Sequence, residues 1–214
     1  MMNQKNVAVR WLWLVLVSAL LFLIFVLLVR VPEVRSLDNR LIQALDLFRT
    51  DTTVFFFSKI TDFGTSRLLI IIIILASLFL IYKKRLVALV LLPLAFWAER
   101  GMNSLLKHWV MRDRPDFPHL VHETGYSFPS GHAMNAATVY GLLIILIAPL
   151  IRHRSMRRLW IALCLAMIVL IGFSRPFLRV HFFTDILAGY CMGGVFVGIT
   201  ALIVIFIDSR RGCR

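Results

Sequence analysis

Cysteine is scarce in this 214-residue chain: Cys164, Cys191 and Cys213 are three, an odd number, far apart and without a Cys-x-x-Cys pair. A disulfide-stapled secreted module is therefore excluded, and zinc or dithiol redox chemistry has no suitably spaced ligands. Acid is scarce as well, with 11 Asp and Glu against 24 Lys and Arg and a formal net charge of +13. Charged residues of both signs make up 16%, where soluble chains carry about 25%. Low hydrophobicity, the mark of disorder, is missing. So is the period-2 alternation that a barrel requires, because the apolar runs are continuous.

What is present in excess is apolar side chain, at 60% of residues and a mean hydropathy of +0.84. No soluble core of this length could bury so much. A helix crosses the hydrocarbon layer with about 20 mostly apolar residues. Runs of that kind predict spans at about 11–29, 68–82, 86–107, 131–151, 159–173 and 184–207. The fold class is thus all-α, a six-helix transmembrane bundle that occupies 1–214 as a single membrane domain. The first run reads as an uncleaved signal anchor, since it is too long for a signal peptide and no small-residue cleavage site follows.

Orientation follows from the basic residues. Segments 1–10, 83–85, 152–158 and 208–214 hold 12 Lys and Arg in 27 residues, with Asp208 their one acid. By the positive-inside rule these segments and both termini are cytoplasmic. The excess of positive charge is then a topology signal beside anionic lipid, and no nucleic-acid partner is needed to explain it. In the first outer segment, 30–67, the residues Leu37, Leu41, Ile42, Leu45 and Phe48 share a helical face. They predict a short amphipathic helix in the outer interface, N-capped by Ser36 with Asp38 in its first turn. Its apolar stripe serves packing against the spans or lipid access. Phe55, Phe56 and Phe57 read as membrane-facing.

The other outer segments hold the polar residues. Lys107, Arg112, Arg114, Ser130 and the histidines His108, His119 and His122 fall between the third and fourth spans, and Arg175, Arg179, His181 and Asp185 between the fifth and sixth. Lys107, Arg114 and Arg175 meet on one membrane face as a cationic pocket, where the Arg fork and the Lys point charge suit phosphate oxygens. Ser130-Gly131-His132 opens the fourth span, and a helix N-terminus with free N–H groups is an anion site. Asp185, four residues after His181, can fix the imidazole tautomer. The histidine lies either on the helix or on its lead-in turn.

Each residue also has an ordinary reading: an interfacial anchor, a cap, a packed histidine. Arg112 and Asp113 read as a solvated loop pair, Arg179 as an anchor or a headgroup contact. Glu123, His119 and His122 read as loop residues or metal ligands, with the solvated loop preferred. Glu99 and Arg100, about 12 Å inside the third span, are expected to face the bundle and pair. Arg100, Asn103 and Ser104 share a face with Lys107 and read as its support.

Together, Lys107-x6-Arg114-Pro115, Pro129-Ser130-Gly131-His132 and Ser174-Arg175-x5-His181-x3-Asp185 resemble the three-part signature of the type 2 phosphatidic acid phosphatase superfamily, in order, spacing and identity. The resemblance implies that His181 is the nucleophile that forms a phosphohistidine, with Asp185 supporting it and His132 protonating the leaving oxygen. It implies that Lys107, Arg114, Ser130, Gly131 and Arg175 hold the phosphoryl group. Three nearby cations would repel a divalent ion and no further carboxylate or histidine has clear ligand spacing, so no metal or other cofactor is expected. The expected substrate is a lipid phosphate in the bilayer, either phosphatidylglycerol phosphate or undecaprenyl pyrophosphate, with phosphatidic acid a third candidate. The expected place is the cell membrane, with the active site on the extracytoplasmic face and no obligatory protein partner. An anion-selective transporter or a non-catalytic scaffold is the alternative, and the apolar inner halves of the spans disfavour a pore.

Overall fold

The structure is a computed structural model that describes residues 4–211, so Cys213 and the last basic residue lie outside it. Every regular element among the described residues is helical. The helices are α1 (Gln4–Leu28), α2 (Pro32–Ala44), α3 (Asp51–Asp62), α4 (Ser66–Tyr82), α5 (Leu86–Val110), α6 (Gly131–Ile147), α7 (Arg154–Phe177) and α8 (Phe183–Arg211). Short 3-10 turns at Leu45–Phe48 and Ala148–Leu150 extend α2 and α6.

Five helices, α1 and α5 to α8, are long and apolar enough to cross a membrane. The second expected span is α4, with 17 residues. It meets the length and hydropathy of a span only together with α3, from which it bends by 51°. The helix α3 was not expected from the sequence, where 51–62 has no clean apolar period. Its signal is local: Thr50 and Thr53 form a reciprocal capping box at its start. Phe57 also departs from its membrane-facing reading, because its ring packs 4.4 Å from that of Phe177 and 5.4 Å from that of Phe173 on α7. Phe55 and Phe56 are exposed, as a lipid-facing surface is.

The innermost helix is α6, most of whose residues are buried. It takes α8 on one side and α7, α5 and α4 around the rest, while α1 lies along α8. Small residues set the approach of α8 to α6. A Cβ at Gly189 would lie 2.9 Å from the Ser130 carbonyl oxygen, and one at Gly193 only 2.5 Å from the Ala137 Cβ. Such small-residue seams let backbones close together where no hydrophobic force drives association. The seam brings the first turn of α8 against the first turn of α6.

Segment 30–67 differs from its expected form at its start. Pro32 occupies the first turn of α2 and Val31 its N-cap position, so Ser36 is a mid-helix residue and not a cap. Proline is favoured there because its missing N–H costs nothing. Leu37 and Leu41 are exposed while Asp38 and Ile42 are buried, which turns the acidic residue inward.

Candidate active site

The polar residues that the sequence places on two separate loops converge at one end of the bundle, where α5 and α7 finish and α6 and α8 begin. Three local devices aim them. Met111 ends α5 in the left-handed region at φ 52°, its N–H donating to the Lys107 carbonyl, and this reversal carries Arg112 and Arg114 back toward the bundle. Ser130 is the N-cap of α6 and its side-chain oxygen accepts from the Ala133 N–H. Asp185, in the first turn of α8, accepts the Phe182 N–H at 2.9 Å through Oδ2, as an acidic residue at the third helical position does in a capping box. His181 lies in the bend before α8, not on the helix.

His181 and Asp185 are both buried. The histidine Nδ1 lies 3.2 Å from Ser127 Oγ and 3.4 Å from Asp185 Oδ2, and Ser127 Oγ donates to Asp185 Oδ2 at 2.5 Å. A hydroxyl that donates to the carboxylate is free to accept from Nδ1–H. The proton then resides on Nδ1, and Nε2 presents its lone pair away from the carboxylate. Nε2 faces Arg114, whose Nη1 is 3.3 Å away. Burial, and after it the charges of Arg114, Arg175 and Lys107, hold His181 well below the ordinary histidine range. It is a neutral imidazole in a cationic enclosure.

The cations are themselves fixed. Arg114 donates to the carbonyls of Gly125, Thr124 and Val180 at 2.8–2.9 Å. Lys107 donates to the Tyr126 carbonyl at 2.6 Å. Arg175 is 1% exposed and donates to Thr61 Oγ1 at 2.6 Å. Gly131 lies so close to Asn103 that a Cβ there would meet its Oδ1 at 3.2 Å, and the Asn103 amide donates to the Pro129 carbonyl at 3.3 Å. Thus Asn103 supports the second motif, while Arg100 turns outward to donate to Ser66 of α4. Glu99 faces the interior as expected but does not pair, for neither carboxyl oxygen has a hydrogen-bond partner.

Four residues that sequence reasoning missed complete the site. Glu123, read there as a loop residue, places Oε1 on Arg175 and 3.9 Å from His132 Nδ1, and Oε2 3.4 Å from Arg114. Arg112 is buried and not a solvated partner of Asp113, which is exposed. It donates to Asp185 Oδ1 at 2.6 Å and to Asp38 Oδ2 at 3.0 Å. Ser127 and Thr61 hold Asp185 and Arg175. A buried cation needs a paired anion, but nothing in the local pattern names a partner 74 residues distant. Arg179 pairs with Asp46 at 2.6 Å instead of reaching the pocket. His108 Nδ1 approaches the Ser104 carbonyl at 2.7 Å and His119 Nε2 the Pro115 carbonyl at 3.3 Å. Among the described residues no three His, Cys, Asp or Glu side chains gather as metal ligands.

A neutral imidazole beside fixed cations is suited to covalent attack on an anion whose charge the cations spread. The family model of the PAP2 superfamily matches residues 85–207. Phosphatidylglycerophosphatase B of Bacillus subtilis (strain 168) is 37% identical over 176 residues, 81% of this chain and 86% of that protein. The crystal structure of the first transmembrane PAP2-type phosphatidylglycerolphosphate phosphatase, from Bacillus subtilis, superposes with a TM-score of 0.79 at 30% identity, over 92% of this chain and 96% of that one. That of Aquifex aeolicus LpxE gives a TM-score of 0.60 at 25% identity, over 77% of this chain and 93% of that one.

Proposed function

Because the chain belongs to the PAP2 superfamily, we propose that it is a membrane lipid phosphatase working through a phosphohistidine on His181, with no metal. The observation that carries this reading is the pairing of a tautomer-fixed His181, its Nε2 3.3 Å from Arg114, with cations that already hold a carboxylate. A phosphoryl group offers the same charge sign with more oxygens.

In this reading the phosphoryl oxygens take the places of the Glu123 oxygens on Arg114 and Arg175, with Lys107, Ser130 and the start of α6 at Gly131 completing the cradle. His181 Nε2 attacks phosphorus, the P–N bond forms and the P–O bond to the lipid breaks. His132 gives its proton to the leaving oxygen. Asp185 compensates the positive charge that builds on the imidazole. Water, giving a proton to His132, then attacks phosphorus, so that the P–N bond breaks and inorganic phosphate leaves. Most of the rate comes from fixed charge and orientation, as phosphoryl transfer requires.

The substrate we favour is phosphatidylglycerol phosphate, supported by the names of the Bacillus subtilis relatives. Undecaprenyl pyrophosphate and phosphatidic acid present the same reacting group. We place the protein in the cell membrane with six spans, counting the bent α3–α4 pair as one. Both termini are then cytoplasmic, the site lies on the extracytoplasmic face, and α2 sits in the outer interface. The test is phosphate release by purified protein in EDTA from the three lipids side by side. Turnover that is lost in His181→Ala is expected. No release in EDTA, or full activity of His181→Ala, contradicts the reading.

A further inference from the structure

The site as described leaves unexplained why an arginine with a carboxylate on each side stands directly behind Asp185. Arg112 is buried, its guanidinium 4.0 Å over the Phe182 ring. Its Nη1 reaches Asp185 Oδ1 at 2.6 Å and Thr184 Oγ1 at 2.7 Å. Its Nη2 reaches Asp38 Oδ2 at 3.0 Å. Asp38 is 2% exposed and also accepts from the Thr184 N–H at 3.3 Å and from its hydroxyl. Every group that faces the Asp185 carboxylate therefore offers it a hydrogen: Arg112 on Oδ1, and on Oδ2 Ser127, the Phe182 N–H and the Nδ1 side of His181. Its plane is fixed from both ends, and His181 can be aligned by it only while that holds.

We propose that Asp38 and Arg112, with Ser127, are positioning residues for the nucleophile: a buried relay, Asp38–Arg112–Asp185–His181, carries the placement of α2 into the orientation of the attacking imidazole. The inference rests on the reading of His181 as nucleophile given above. Its physical basis is that an ionised group taken out of water needs good partners on every side, and that outer partners fix the orientation of the groups they hold. Arg112 alone would leave its far face uncompensated in a buried place. Asp38 closes that face and so keeps the near face on Asp185. The helix α2, which supplies no group to the phosphate cradle, thereby enters the reaction as an orienting wall. None of Asp38, Arg112 or Ser127 is in hydrogen-bond contact with Lys107, Arg114 or Arg175. The relay should therefore govern the speed of attack and leave substrate binding alone.

The test uses the full-length protein in detergent micelles, with wild type, Asp38→Asn, Ser127→Ala and His181→Ala measured for kcat, KM, inhibition by inorganic phosphate and thermal unfolding. Asp38→Asn and Ser127→Ala are each expected to lower kcat by roughly 10- to 100-fold while KM and phosphate inhibition stay at wild-type values. Should Asp38→Asn fail to fold, Thr184→Val, measured in the same way and with the same loss of kcat expected, carries the test, because it removes the hydroxyl that bonds both Asp38 and Arg112. Unchanged kcat in the folded variants overturns the relay. So does a loss of kcat that tracks weakened phosphate inhibition and a lowered unfolding midpoint, which is the mark of a structural clamp. Those failures are distinct from failure of the underlying reading, which would show as an inactive wild type or a fully active His181→Ala.

Discussion

Glu123 holds its carboxylate on Arg114 and Arg175, the place that the proposed reading gives to phosphoryl oxygens, so on that reading binding exchanges one anion for another. Its charge lowers the cost of gathering three cations in a partly buried place, and on the same reading it would compete with substrate. Glu123→Gln keeps the shape and removes the charge. It is expected to tighten competitive inhibition by phosphate and vanadate on the order of tenfold, as the loss of a near charge at intermediate dielectric implies, measured against wild type at fixed pH. His181 gives a second expectation. It is held below its ordinary value of about 6.5 by burial and by Arg114, Arg175 and Lys107, with Asp185, Glu123 and Arg112 the other charges near it. A nucleophile acts as the free base, so lowering its pKa moves the acid limb of kcat/KM down, not up. The limb that belongs to His181 should lie well below 6.5, read from pH profiles of one substrate across variants. Individual site residues were legible because each motif is short and fixed in spacing. Glu123, Arg112 and Asp38 were not, since each looks like an ordinary loop or interface charge until the fold brings in its partner.

At the scale of elements, the contact of α6 with α8 aligns the second motif with the third. The Ser130 N–H donates to the Asp185 carbonyl at 3.1 Å across that contact, so the seam that packs the helices also sets the distance between the two histidines. Gly193→Val would put side chain where even a Cβ meets Ala137 at 2.5 Å. It is expected to cost about 1–3 kcal/mol as overpacking and to lower activity along with the thermal midpoint in micelles, whereas Gly101→Ala, with open space around its Cβ position, should do neither. Hydropathy made the helix cores readable, because a continuous apolar run of span length has few other uses. It did not show α3, whose composition is mixed, nor the true start of α2, where Pro32 outranks Ser36 as a starting signal. Nor could it show that Phe57 faces α7 while Phe55 and Phe56 face outward, since aromatic residues suit both surroundings.

Taken whole, the molecule separates two uses of positive charge. The dense basic turns at 83–85 and 152–158 lie at one end of the helices, and the Lys107, Arg114 and Arg175 cluster at the other. The net +13 reports the first group and hides the second, because at the candidate site Asp38, Asp185 and Glu123 offset the cations. A chain with little acid has placed three of its 11 acidic residues at one site. The central claim, that this site transfers phosphate through His181, is tested most directly by trapping the intermediate. Purified protein is mixed with lipid labelled in its terminal phosphate, quenched in alkali within a turnover, and mapped for protein-bound label. The account predicts alkali-stable, acid-labile phosphate on His181 that is absent from His181→Ala. Turnover at full rate with no protein-bound phosphate, or with label on any other residue, would contradict it.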